Sequence, residues 1–247
     1  MNAFFSPKRA WFVFRNDLTW LYRPFILANI VVLSISLVIT LFVYRSGTAW
    51  NYYDSLFGPL LYLGGYLYTA GMFSDIHHKV KGASYFLVPA SVTEKFASRM
   101  IISGILYAVG VVFVMSIFSY LVYLLARVSA GTYLPVFTPF RSEIIKSGGI
   151  YLVTQSIFLF GSTVFRKHAF LKTLLIVILI SIAISIVQGI IGAYVLKANQ
   201  TLQVQITMDE LIQMFDSLAP VMKFFFWFIM APIFWFTSVW HLGRIQK

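Results

Sequence analysis

The stretch "TLLIVILISIAISIVQGIIGAYVL", residues 173–196, contains no Asp, Glu, Lys, Arg or His. At 1.5 Å rise per residue, about 20 residues carry a helix across a hydrocarbon core of about 30 Å. The stretch is therefore long enough to cross a bilayer. Its many β-branched residues would suit a strand in water, but a lipid-facing segment of this length satisfies its own backbone only as a helix.

Working outward, four more runs lack every charged residue and histidine: 24–44, 56–74, 100–125 and 148–165. A sixth, 221–240, holds one lysine, Lys223, near enough to its end to reach the interface with its ammonium. The whole chain of 247 residues is 60% hydrophobic, 18% aromatic and only 11% charged. A soluble domain carries about 25% charged residues. The expected fold is all-α: one polytopic domain of six transmembrane helices.

Lys and Arg are unevenly shared between alternate sides. The N-terminus (Lys8, Arg9, Arg15, Arg23), the 75–99 loop (Lys79, Lys81, Lys95, Arg99), the 166–172 loop (Arg166, Lys167, Lys172) and the tail (Arg244, Lys247) fall on one side. Arg45, Arg127, Arg141, Lys146, Lys197 and Lys223 fall on the other, with five of the eight acids. The positive-inside rule then puts both termini in the cytoplasm. The net charge of +11 is scattered through short loops, as topology and headgroup attraction require, rather than gathered into a nucleic-acid patch. The chain has no cysteine, which excludes disulfides, thiolate nucleophiles and Cys-ligated metals. Its first apolar run is too long for a cleaved leader and is expected to stay as an anchor.

Before the first run, residues 1–23 read as an interfacial elbow helix. Trp11, Phe14, Leu18 and Tyr22 recur at helical spacing, with Lys8, Arg9 and Arg15 toward headgroups. Pro7 suits the start of this helix and Pro24 the start of the next. In the 197–220 loop, Thr207 and Glu210 have capping-box spacing, and Leu211, Met214, Phe215 and Leu218 form one apolar face before Pro220. A short external helix is expected there. Ser181, Ser185, Gly189 and Ala193, four residues apart, give the fifth run a small-residue face for close helix approach, either within one subunit or as a homodimer seam.

The 75–99 loop is long for a plain connector. Within "KGASYFLVPASVTEKFASR", Pro89 disfavours helix before it, Ser91 is a good N-cap, and Glu94 stands three residues on. This is a capping box, in which the serine hydroxyl and the glutamate carboxylate satisfy otherwise orphaned amides. It opens a helix at Val92 with Phe96 on the apolar side. Two readings fit: a cytoplasmic surface for a partner, or an early start to the third membrane helix.

The sequence resembles the permease subunits of ABC-2-type ABC transporters. Gly82, Leu87, Pro89, Ser91, Glu94 and Lys95 follow in the order of a family stretch like G-x-x-x-x-L-x-x-P-x-S-x-x-E, with one residue rather than two between Leu87 and Pro89; in the family that stretch holds a cytoplasmic coupling helix after the second span. An elbow helix, six spans, inside termini and an external helix before the last span complete the likeness, whereas "SDIHHKVKG" replaces the family's usual acidic or Arg-rich approach. The resemblance implies a cytoplasmic ABC ATPase partner engaged through Ser91, Glu94, Lys95, Phe96 and Arg99. It also implies an elbow anchored by Trp11, Phe14, Arg15 and Leu18, a second permease copy, and the cytoplasmic (inner) membrane of a bacterium. ATP and Mg would sit on the partner subunit.

The absences agree with that division of labour. No G-x-x-x-x-G-K-[ST] occurs, so this chain holds no P-loop for nucleotide. No catalytic residue is expected: G-x-S-x-G is missing, and neither His168 nor His241 has a nucleophile partner. No metal is expected, since adjacent His77 and His78 diverge by about 100° on a helix and no H-x-x-x-H occurs. Ionisable groups are nearly absent from the runs, which argues against a proton- or sodium-coupled carrier, although Asn29, Gln155 and Gln188 lie at membrane depth. Tyr62, Tyr66 and Phe73 lie along one side of the second run, either as a path for an amphipathic cargo or as packing. The expectation is an exporter-type permease of an amphipathic or lipid-like substrate. The alternative is a non-transporting scaffold that recruits a cytoplasmic protein.

Overall fold

A computed structural model describes residues 6–45, 52–77, 82, 85, 87–130, 136–202, 217 and 219–245. The residues named for the expected external helix (Thr207, Glu210, Leu211, Met214, Phe215 and Leu218) lie outside the described residues, as does His78.

The described residues form helices and no strand. Helix α1 (Pro7–Arg45) is followed by α2 (Tyr52–Pro59), a π-helical turn (Leu60–Gly64) and α3 (Gly65–Gly71). A 3-10 turn (Ser74–His77) leads into the loop, and α4 (Val92–Ile101) continues through a π turn (Ile102–Leu106) into α5 (Tyr107–Ala130). Then come α6 (Ser142–Val164), α7 (Ala169–Leu202), a π turn (Phe225–Met230) and α8 (Ala231–Ile245). Four stretches are long and apolar enough to cross a membrane: Val92–Val128, Ser142–Val164, Ala169–Tyr194 and Ala219–Ile245. They contain most of the third to sixth expected spans.

The N-terminal region differs from expectation. The sequence predicts an elbow ending before Pro24, but the backbone stays helical through that proline from Pro7 to Arg45. At 1.5 Å per residue this helix is about 58 Å long, roughly twice a hydrocarbon core. A bilayer crossed by it would leave much of the helix outside the lipid.

Two apolar clusters hold the bundle. One joins Tyr53, Phe57 and Leu61 to Val111, Met115 and Phe118 of α5 and to Ile144 and Tyr151 of α6. The other joins Met72, Phe73 and Ile76 to Phe96, Leu159 and Leu242. A column of rings runs through the first cluster: Tyr68 to Tyr107 at 5.4 Å, Tyr107 to Tyr151 at 5.6 Å, Tyr66 to Tyr151 at 6.0 Å and Tyr66 to Phe158 at 4.3 Å. Gly65 makes that column possible, because the Tyr151 ring occupies the place where a Cβ would stand.

The π turns explain two of the hydroxyls. Such a turn disturbs the regular hydrogen-bond ladder, and a carbonyl left bare in an apolar interior costs free energy. The Tyr107 hydroxyl donates to the Leu60 carbonyl at 2.7 Å, and the Tyr151 hydroxyl donates to the Ser103 carbonyl at 2.6 Å. Each tyrosine thus meets a carbonyl in a π turn. Beside them the buried Gln155 accepts from Ser103 Oγ at 3.4 Å and Thr69 Oγ1 at 3.5 Å, tying α3, α6 and the second π turn.

Candidate coupling site at the start of α4

The motif residues before α4 have distinct physical tasks. Gly82 is buried against the 3-10 turn, where an added Cβ would stand 2.8 Å from the Ile76 carbonyl oxygen. Gly82, Tyr85 and Leu87 are helical, and Leu87 is 82% exposed. Pro89 and Thr93 are also exposed.

The capping box read from the sequence is formed. Ser91 is extended, its Oγ accepts from the Glu94 amide at 3.2 Å, and Glu94 Oε2 accepts from the Ser91 amide at 2.8 Å. Glu94 does more than the box requires. Its Oε1 accepts from the Ser6 amide at 2.6 Å and from Arg9 Nη2 at 3.3 Å. Ser6 directly precedes the first residue of α1, so one buried carboxylate serves the amino ends of two helices. Both ends carry partial positive charge, which favours an anion there.

One turn further, Asp17 of α1 faces α4. Its Oδ2 accepts from Ser98 Oγ at 2.7 Å, and Oδ1 lies 3.8 Å from Arg99 Nη2. Burial raises the Asp17 pKa above the usual carboxylate value, while the Arg99 charge and the Ser98 hydrogen bond oppose that shift. Arg99 Nη1 donates to the Met72 carbonyl at the end of α3. The guanidinium also lies over the rings of Tyr85 at 4.5 Å and Phe73 at 5.1 Å. Lys95 Nζ donates to the Tyr85 carbonyl at 2.9 Å and sits 5.0 Å from that ring. Desolvated contacts of this kind are worth about 2 kcal/mol.

This placement changes the reading of the coupling residues. The resemblance makes Lys95, Phe96 and Arg99 partner contacts, but all are buried, with Phe96 stacked on Phe73 at 6.1 Å. Of the two readings of the capping box, the early start to a membrane helix is seen, because α4 runs on into α5. No proline interrupts residues 92–130, and the π turn carries the helix through Gly104. What faces outward in this region is the Leu87, Pro89 and Thr93 tip.

The elbow residues divide. Phe14 and Leu18 pack against the second cluster, Arg15 is exposed, and Trp11 is 66% exposed while stacked on Phe14 at 5.6 Å. The buried face of this part of α1 is centred on Val13 and Asp17. Sequence reasoning misses Asp17, although a signal is there: an acid one helical turn from Val13 and from Leu21, on the apolar face.

Among the cargo-path candidates, Phe73 is fully buried. Tyr62 donates to the Ser147 carbonyl at 3.3 Å, and Tyr66 shares a hydrogen bond of 2.6 Å with Thr154. All three serve packing contacts in this structure. Ser181, Ser185, Gly189 and Ala193 are exposed; Ser181 and Ser185 donate back to the Val177 and Ser181 carbonyls, each at 2.9 Å. Among the described residues, no group of three His, Asp or Glu could hold a metal.

Among the described residues the fold is all-helical, and four of its stretches have the length and apolar composition of membrane-crossing helices. No family model, curated protein or solved structure matches it.

Proposed function

We propose that the chain is the permease subunit of an ATP-driven, ABC-2-type transporter in a bacterial cytoplasmic membrane. In this reading it has six spans and both termini in the cytoplasm. Two copies pair with two separate ATPase subunits, which bind ATP and Mg and press on the Leu87–Thr93 tip.

The observation that carries the proposal is Glu94. By accepting from both Ser6 and Ser91, it fastens the exposed tip to α1 as well as to the continuous α4–α5 rod. A push on the tip would then move two membrane helices together. Lys95 and Arg99 stiffen the joint from inside rather than touching the ATPase. An apolar cavity of about 480 Å³ between Leu61, Val112, Phe113 and Ile144 supports an amphipathic or lipid-like cargo. It replaces Tyr62, Tyr66 and Phe73 as the place where cargo would bind.

Purification of the tagged full chain from its native host tests the assignment. A P-loop ATPase should co-purify with the parent chain and be lost on Leu87→Asp, whose side chain is outside the fold. Ser91→Ala with Glu94→Ala should leave ATP turnover by the complex and abolish its coupling to transport. Reproducible absence of an ATPase would favour the scaffold reading.

A further inference from the structure

The cavity of about 480 Å³ beside the start of α6 has an almost wholly apolar wall. Phe57, Leu61 and Ile144 of that wall are buried. Ser116 is its only polar side chain, and that hydroxyl donates to the Val112 carbonyl at 2.8 Å. The lining side chains therefore offer a ligand no free donor. We propose that this cavity holds one acyl chain of an anionic phospholipid, whose phosphate lies against the Lys146 ammonium.

The wall selects hydrocarbon. An apolar cavity of this kind stays dry. Left empty, its lining forfeits dispersion contacts, and an alkyl chain restores them without desolvating a polar group. The volume falls in the lower half of the range usual for small-molecule sites, about 300–1,000 Å³, which suits one chain rather than a whole two-chain lipid. Four further lining residues, Val109 and Phe113 of α5 with Phe140 and Ile145, are exposed. Helix α5 belongs to the Val92–Val128 stretch, which has the length and composition to cross a membrane. In a bilayer such a mouth opens sideways onto lipid, and a second chain can lie along Val109 and Phe113.

Charge selects the headgroup. Three charged residues, Arg141, Glu143 and Lys146, stand at the start of α6. Arg141 pairs with Glu143 at 2.6 Å. Lys146 lies in the sequence between the lining residues Ile145 and Gly148, is exposed, and makes no ion pair or hydrogen bond among the described residues. A lipid phosphate gives it a charge-assisted partner. A choline lipid brings its own cation to the same place and gains less. The inference rests on the proposed reading of this cavity as the cargo site, and names the cargo class.

Native mass spectrometry of the full-length chain in detergent tests it, with phosphatidylglycerol, phosphatidylcholine and palmitate as separate probes. Retention is read on the chain alone, so it holds or fails separately from co-purification of an ATPase. Phosphatidylglycerol should be retained about fivefold better than phosphatidylcholine, the effect expected of one basic residue near anionic headgroups. Lys146→Gln, at an exposed position, should erase that preference and keep both lipids bound. Gly148→Leu should cut retention of both about tenfold, a loss of about 1.4 kcal/mol. An added Cβ at Gly148 meets nothing within 4 Å, so the new side chain grows into open space without displacing the wall. Circular dichroism checks that each variant folds, and Lys146→Gln decides the matter if Gly148→Leu does not. Equal retention of the two lipids by the parent chain, an unchanged preference in Lys146→Gln, full retention in Gly148→Leu, or displacement by palmitate as potent as by phosphatidylglycerol overturns the proposal.

Discussion

Helices α6 and α7 follow one another in the chain, and both are long and apolar enough to cross a membrane. Yet α6 buries Tyr151, Val153, Gln155, Phe158 and Leu159, whereas residues 178–191 of α7 are all exposed. The difference lies in their polar groups. Tyr151, Thr154 and Gln155 of α6 reach hydrogen-bond partners on other elements, while Ser181 and Ser185 of α7 bond only to their own helix in the contacts described. In lipid, apolar surface gives no drive for helix association, so close packing and interhelical hydrogen bonds decide which helix is covered. The chain itself covers α6. The two-copy proposal gives α7 its cover.

The sharpest break between the helices should come from glycine. Gly65→Leu forces a side chain into the Tyr151 ring, and overpacking of this kind costs about 3 kcal/mol. Gly189 has nothing within 4 Å of an added Cβ, so Gly189→Leu should leave the single chain folded. Thermal unfolding in detergent, followed by circular dichroism, should show a large loss for the first variant and none for the second. Equal losses would mean that α7 is covered by its own chain.

The second test concerns what covers α7. Because the chain has no cysteine, Ser185→Cys introduces a single thiol. Oxidation in native membranes should link two copies through it, whereas Val187→Cys, on the opposite face of the helix, should not link them. Equal linkage from both positions would remove the small-residue seam from the account.

A smaller effect separates the charged junction from both helices. Because burial raises the Asp17 pKa, the unfolded chain ionises first as pH rises. The Asp17 contribution to stability is therefore fullest below its unfolded pKa of about 3.9 and is lost as pH rises through the folded value. The stability of the parent chain relative to Asp17→Asn should fall from acid to neutral pH. Denaturant titrations of the two proteins would check the sign, and an opposite slope would show that the Arg99 pairing outweighs desolvation.

Much of this is legible in the sequence, for reasons that particular residues make clear. The last four uncharged or nearly uncharged runs locate long apolar helices, because lipid allows such backbones few alternatives. The Ser91 and Glu94 box is readable because capping is local. What stays hidden depends on distant partners. Spacing along residues 91–99 cannot show that Glu94 also holds Ser6, or that Arg99 turns inward onto Met72, Phe73 and Tyr85. Pro24 reads as a boundary because proline disfavours a helix interior, but α1 continues through it.

The most direct test of the proposed function is a photo-crosslinking amino acid placed at Leu87, an exposed residue of the tip, in membranes of the native host. The account predicts an adduct with an ATPase that bears a P-loop, formed at Leu87 and absent when the same group replaces the buried Phe96. Membranes that yield no ATPase adduct from Leu87, while the protein is folded and inserted, would contradict it.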